Sequence, residues 1–285
     1  MVLNLGLIGY PLGHSLSPKI HKTALTACGL EGDYTLFPIH PDDQQRLKDL
    51  LARVRGGEIT GLNVTIPHKQ NVIPLLDELT PTAKAIGAVN TISVRDGRLI
   101  GDNTDTPGFL ADLKKILTTE TQRHGDLKSA LVLGAGGSAR AVAYALIHDG
   151  WKVTIASRQT QQAQALIAQI SIPNSQLLMI EYQTTALQSL IPNLSLIVNT
   201  TPLGMTPNAD ASPWPDSLPF PPDAAIYDLV YNPRETRLVK DAREAGLPAT
   251  TGLGMLIEQA ALAFEIWTGC KPPSGVLWKA VDDRP

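Results

Sequence analysis

No apolar run in this sequence approaches the roughly 20 residues that cross a bilayer, so a membrane span is not expected. The opening stretch, MVLNLGLIGYPLGHS, lacks a basic n-region followed by a signal-type core, and a chain that is not secreted is the expectation. Charge of one sign is also missing. A formal net charge of -3 provides no electrostatic footprint for nucleic acid or an anionic membrane. Cysteine is scarce: Cys28 and Cys270 have no metal-ligand spacing, so no metal is expected, and two buried thiols in a reducing compartment, the cytoplasm, are. There is no internal repeat and no low-complexity tract. What remains is an ordinary globular composition, 43% hydrophobic and 18% charged, in 285 residues, which allows one or two domains.

From about 126 to 252 strands and helices alternate, a pattern that implies a parallel sheet covered on both faces. SALVLG (129–134) reads as a buried strand, SARAVAYALIHDG (138–150) as a helix closed by glycine, and KVTIAS (152–157) as a second strand. QLLMIEY, SLIVNTT and AAIYDLV read as further strands, QQAQALIAQI and ETRLVKDAREAG as helices, and the proline-rich 212–223 as one long loop. The first strand-to-helix turn is G-A-G-G-S-A (134–139), which fits the dinucleotide fingerprint in its required context. Gly134 permits the turn, Gly136 lets a pyrophosphate approach the backbone, and Ala139 allows the helix to pack closely. An acidic residue after the second strand would bond the ribose 2′-hydroxyl of NAD. Here the chain has Ser157, Arg158 and Gln159, and an arginine without the acid favours the 2′-phosphate of NADP.

The first hundred residues read as a separate α/β domain. LNLGLIGY (3–10) is a strand and SPKIHKTALTACG (17–29) a helix, with Ser17 at the N-cap, Pro18 at N1 and Gly29 at C′. Ser15 and Ser17 make either a carboxylate seat at a helix start or one loop serine and one cap. In GLNVTIPHK (61–69), Leu62, Val64 and Ile66 alternate with Asn63 and Thr65, a half-buried strand. Pro67 ends it and opens a helix that Pro74 keeps short, so Lys69 lies in a first turn, against the helix dipole. Such a lysine is simply exposed, or it has an acidic partner or a role. Asp96-Gly97 marks a hairpin in which paired residue numbers sum to 193, placing Asn90 opposite Asn103 and on one face with Asp105. Thr106-Pro107 then starts a helix in the Ncap–N1 manner.

At this point the chain resembles the NADP-dependent shikimate dehydrogenase family. IGYPLGHSLSPKIH, GLNVTIPHK, GAVNTI, GDNTDTPGF, GAGGSARA, VNTTPLGM, YDLVY and GLGMLIEQAA occur in the family's order from about residue 5 to 270. The resemblance implies two α/β domains, a substrate-binding and catalytic domain over 1–106 plus 253–285 and a Rossmann-like NADP-binding domain over 107–252. It implies reversible NADPH-dependent reduction of 3-dehydroshikimate, a small-molecule substrate, with Lys69 and Asp105 as the catalytic pair. Ser15 and Ser17 would hold the substrate carboxylate, and Thr65, Asn90, Tyr231 and Gln259 would contact its hydroxyls or ring. Gly134, Ala135, Gly136, Gly137 and Ser138 would hold the pyrophosphate, Ser157 and Arg158 the 2′-phosphate side, and Leu229 and Gly252 would lie near the nicotinamide. The resemblance leaves a homodimer open, and the rival readings are a quinate/shikimate dehydrogenase accepting NAD and a non-catalytic NADPH sensor on the same fold.

Gln259 has Leu262, Ala263 and Ile266 on its helix face, so a core glutamine bonded to backbone would look the same. Two positions depart from the family's pattern: Lys22 stands where an asparagine is common, and Gln162 where a second basic contact to the 2′-phosphate is common. The second departure predicts a weaker preference for NADP over NAD.

Overall fold

The computed structural model describes residues 2–117, 128–170 and 176–281. The chain forms two compact units, Met1–Gly108 with Ile257–Pro285, and Phe109–Leu256. The elements of the first are β1 (Leu3–Gly9), α1 (Ser17–Ala27), β2 (Gly32–Pro38), α2 (Gln44–Arg55), β3 (Gly61–Val64), α3 (His68–Asn71), β4 (Glu78–Leu79), α4 (Pro81–Ile86), β5 (Thr91–Arg95), β6 (Arg98–Asp102) and the start of α5 (Asp105–Ile116). Those of the second are β7 (Ser129–Leu133), α6 (Gly137–His148), β8 (Lys152–Ser157), α7 (Thr160–Ile170), β9 (Leu177–Glu181), α8 (Thr184–Leu190), β10 (Leu196–Asn199), β11 (Ala225–Asp228), α9 (Arg237–Glu244) and β12 (Ala249–Thr251). Most of α10 (Leu253–Thr268) and all of α11 (Ser274–Val281) return to the first unit.

The first sheet runs β2-β1-β3-β5-β6-β4 and is mixed, because the β5–β6 hairpin inserts antiparallel strands. Asp96 and Gly97 at its turn both have positive φ, 52° and 72°, which the right-handed twist of the two strands requires. The expected register holds: Val94 faces Leu99 and Ile92 faces Gly101. On one side of the sheet, Leu47, Leu50, Leu51 and Val54 form the apolar stripe of α2 and pack on Leu62, Ile92 and Leu99. Asp43 caps that helix by accepting from Arg46 N.

Several local expectations are corrected. β3 is buried at all four positions, not half-buried, because helices cover both faces of the sheet. Asn63 is therefore interior, where it accepts from the Tyr34 hydroxyl at 2.8 Å and donates to Asn90 O. Ile66 lies past the strand end and is exposed, as is Ile266 on α10. Ser17 is the first helical residue of α1 and not its cap; its N–H donates to Ser15 Oγ at 3.3 Å. Likewise Thr106 lies inside α5 and is not its cap: the helix begins at Asp105, two residues before the expected Pro107, because Asn103 Oδ1 accepts from the N–H groups of both Asp105 and Thr106. The two cysteines are not free thiols: Cys28, at the end of α1, and Cys270, just after α10, form a disulfide with Cα atoms 6.4 Å apart. Their separation of 242 residues hides this proximity from the sequence.

The second sheet is wholly parallel, ordered β12-β11-β10-β7-β8-β9. Along β7, Ala130 and Val132 enter the core shared with α5 and α6, while Leu131 and Leu133 enter the core under α8 and α9. Both faces are thus apolar, as a doubly wound sheet demands. Strand order reverses between β7 and β10, the crevice where such sheets bind ligands. The proline-rich segment is a loop, anchored through buried Trp214 and Leu218.

Candidate active site

Lys69 is carried by the four-residue α3, which is too short to be stable alone. Buried His68 donates to Ile39 O at 2.7 Å, and Lys69 O accepts from Val89 N, so the helix is held from both sides. Lys69 Nζ reaches Asp105 Oδ2 at 2.7 Å. Their side chains are only 13% and 6% exposed, so each charge depends on the other in a partly desolvated setting. The other carboxylate oxygen, Oδ1, accepts from Asn90 Nδ2 at 2.9 Å. Asn90 is fixed in turn: its Oδ1 accepts from Thr104 N at 2.7 Å and from Thr91 Oγ1 at 3.0 Å. The two hydrogens on Asn90 Nδ2 are divided among Thr104 Oγ1, Asp105 Oδ1 and Gln259 Oε1, the last at 3.3 Å.

The structure thus brings together Lys69, Asp105, Asn90 and Gln259. Gln259 is buried on α10 and bonds side chains, Asn90 and Thr104, which sets it apart from a core glutamine held only by backbone. Thr65 follows β3 and is half-buried, its N–H bonded to Ile8 O. Ser15 and Ser17 flank the start of α1. Sequence reasoning missed Asn103, Thr104 and Thr91. The signal for Asn103 was present in GDNTD, since an asparagine two residues before a helix start is a common backbone cap.

Tyr231 and the remaining predicted residues belong to the second unit. Gly134 follows β7 with φ +111°, a conformation that glycine alone adopts freely, and a Cβ there would sit 2.7 Å from Thr200 Oγ1. Ala135 is buried, and Gly136 is exposed with nothing within 4 Å of where its Cβ would be. Gly136 precedes α6, whose first turn contains Gly137 and Ser138 and has no side-chain cap, and Ala139 is fully buried behind them. Open space over uncapped N–H groups fits a pyrophosphate. Ser157 Oγ accepts from Gln159 N at 3.1 Å, shaping the turn that presents exposed Arg158. Arg158 lies near enough to Tyr182 to lower the phenol's affinity for its proton, although burial of that phenol outweighs it and raises the pKa. Leu229 and Gly252 touch: a side chain at Gly252 would collide with the Leu229 carbonyl.

A parallel sheet whose strand order reverses beside a glycine turn places this chain among the α/β enzymes that use dinucleotides. Residues 7–92 match the family model described as the shikimate dehydrogenase substrate binding domain, and 252–281 that of the shikimate 5′-dehydrogenase C-terminal domain. The shikimate dehydrogenase (NADP(+)) of Salinibacter ruber is 42% identical, over 96% of this chain and 95% of that one. The structure of shikimate 5-dehydrogenase from Thermus thermophilus in complex with NADP(H) and shikimate is 39% identical, covers 98% of each chain and superposes with a TM-score of 0.83. Quinate dehydrogenase from Corynebacterium glutamicum in complex with NAD is 33% identical, again over 98% of each chain, with a TM-score of 0.85. The chain belongs to the shikimate dehydrogenase family.

Proposed function

We propose that this chain is an NADP-dependent oxidoreductase that interconverts 3-dehydroshikimate and shikimate in the cytoplasm. The observation that carries the reading is the Lys69–Asp105 pair at 2.7 Å, with Asn90 on the second carboxylate oxygen. In reduction, the carbonyl carbon gains a hydride and its oxygen a proton. NADPH supplies the hydride when bound. Lys69 Nζ donates to the reacting oxygen and holds the proton there; Asp105 keeps Lys69 aimed at it. Asn90 and Gln259 bond ring hydroxyls, and Ser15 and Ser17 bond the carboxylate at the start of α1, with Thr65 and Tyr231 as further substrate contacts. Residues 134–138 hold the pyrophosphate, Ser157 and Arg158 the 2′-phosphate side, and Leu229 and Gly252 the nicotinamide.

The likeness to an NAD-bound quinate dehydrogenase, together with a single basic residue after β8, favours one alternative, broader cofactor and substrate use. Initial rates with shikimate and quinate, each with NADP and NAD, separate the two. Turnover confined mainly to shikimate with NADP supports the main reading, and comparable rates with quinate or NAD support the alternative. Lys69→Ala is expected to lower kcat by a factor of about 10² to 10⁴ with KM little changed. A raised KM with kcat intact moves Lys69 from chemistry to binding.

A further inference from the structure

Asp228 ends β11 and is completely buried, yet no cation in the described residues faces it; its partners are Asn199, Val230 and Thr236. Its Oδ1 accepts from Asn199 Nδ2 at 2.8 Å and from Val230 N at 3.0 Å, and its Oδ2 accepts from Thr236 Oγ1 at 2.7 Å. Burial raises its pKa to about 6, so at neutral pH it remains mostly an anion, able to accept from all three donors. A buried carboxylate with no counter-ion is costly, and here three hydrogen bonds offset that cost.

Those bonds gather three segments, the ends of β10 and β11 and the start of α9. Asn199 ends β10, and its own Oδ1 accepts from Thr201 N and Thr201 Oγ1, while Thr201 Oγ1 accepts from Leu203 N, ordering the loop after β10. Thr236 caps α9 by accepting from Val239 N. Leu229 is pinned on both sides, its N–H on Asn199 O at 2.9 Å and the next N–H, that of Val230, on Asp228. The Leu229 carbonyl in turn occupies the space over Gly252. All of this stands at the carboxyl ends of β10 and β11. β10 is the strand next to β7 and its glycine turn.

We propose that Asp228 is a positioning residue for cofactor binding: through Asn199, Val230 and Thr236 it fixes the Leu229–Gly252 wall against which the nicotinamide half of NADP(H) packs. The proposal rests on the NADP-dependent reading above. It gives a role to a buried hydrogen-bond acceptor, and it assigns the loops after β10 and β11 a single anchor.

The test is the dissociation constant for NADPH and for adenosine 2′,5′-bisphosphate, which lacks the nicotinamide half, measured by calorimetry on the full chain. Removing a buried acceptor with three donors in Asp228→Ala is expected to weaken NADPH by about tenfold or more and to leave the bisphosphate within about twofold. Asp228→Asn keeps an acceptor for Asn199 and Val230 and lets the Thr236 hydroxyl turn to accept, so it should recover most of the affinity for NADPH. Thr236→Val removes one arm and serves if the alanine variant does not fold; a smaller loss, again confined to NADPH, is expected. Equal losses for both ligands, or no loss for either, overturn the proposal. A wild-type chain that binds neither ligand overturns instead the dinucleotide reading on which it rests.

Discussion

His21 is fully buried on α1, stacked on Tyr34 with ring centroids 4.4 Å apart and close to Trp267. Burial pushes its pKa down from 6.5 to about 3, with Asn63 offsetting a part. The unfolded chain therefore takes up a proton at this residue before the folded one does, and the stability that the neutral ring contributes is present above pH 6.5 and lost as pH falls from there toward 3. Asp228 acts in the opposite sense, its raised carboxyl favouring the folded state below the ordinary carboxylate range and losing that contribution as pH rises through about 6. His21→Phe should thus gain on wild type as the solution is acidified below pH 6.5, by up to about 1.4 kcal/mol for each pH unit. Urea unfolding at a series of pH values would show it, and a variant whose curve runs parallel to wild type throughout would mean that the ring protonates in the folded state without penalty.

At the scale of elements, the glycine turn between β7 and α6 separates folding from binding at two neighbouring positions. Gly134 has a left-handed backbone and Thr200 against it, so a side chain there strains the fold itself. Gly136 has an ordinary φ of -77° and open space where a Cβ would go. Gly136→Val is accordingly expected to leave the thermal midpoint within about 2 °C of wild type and to weaken NADPH by about a hundredfold or more, because the branched side chain fills the space that a pyrophosphate requires. A loss of stability matching the loss of binding would show that Gly136 serves the fold. The short α3 makes the complementary case: a four-residue helix exists because two of its own residues are tied outward, His68 to Ile39 O and Lys69 O to Val89 N, and Lys69 then meets Asp105 at the start of α5.

At the scale of the whole chain, the Cys28–Cys270 disulfide closes a loop of 242 residues that includes all of the second unit, Phe109–Leu256. Limiting the unfolded chain over such a distance stabilises the folded state by up to about 5.5 kcal/mol in the chain-entropy account. Dithiothreitol, or Cys28→Ala, should lower the denaturant midpoint of the first unit, and kcat should hold because neither cysteine bonds a residue of the Lys69 site. An unchanged midpoint on reduction would indicate that α1, α10 and α11 are held by packing alone. In a reducing compartment the pair would stand as a dithiol, and the same measurement shows what the chain retains in that state.

The sequence by itself determined the elements whose signals are local. The alternation over 126–252, the glycine turn, Arg158 without an acidic partner, and the Asp96-Gly97 hairpin with its register were all legible, because each depends on residues within a few positions of one another. That register by itself carries Asn90 and Asp105 onto one face. Family motifs then named Lys69 and Gln259, whose meeting with them spans 36 and 169 residues of chain. Tertiary structure alone decided the rest: that Asn63 is interior, that Asn103 and not Thr106 caps α5, that the cysteines pair, and that Asp228 anchors two loops. These depend on which long-range partner a polar group finds once water has been excluded, and burial makes finding one obligatory without saying which it will be.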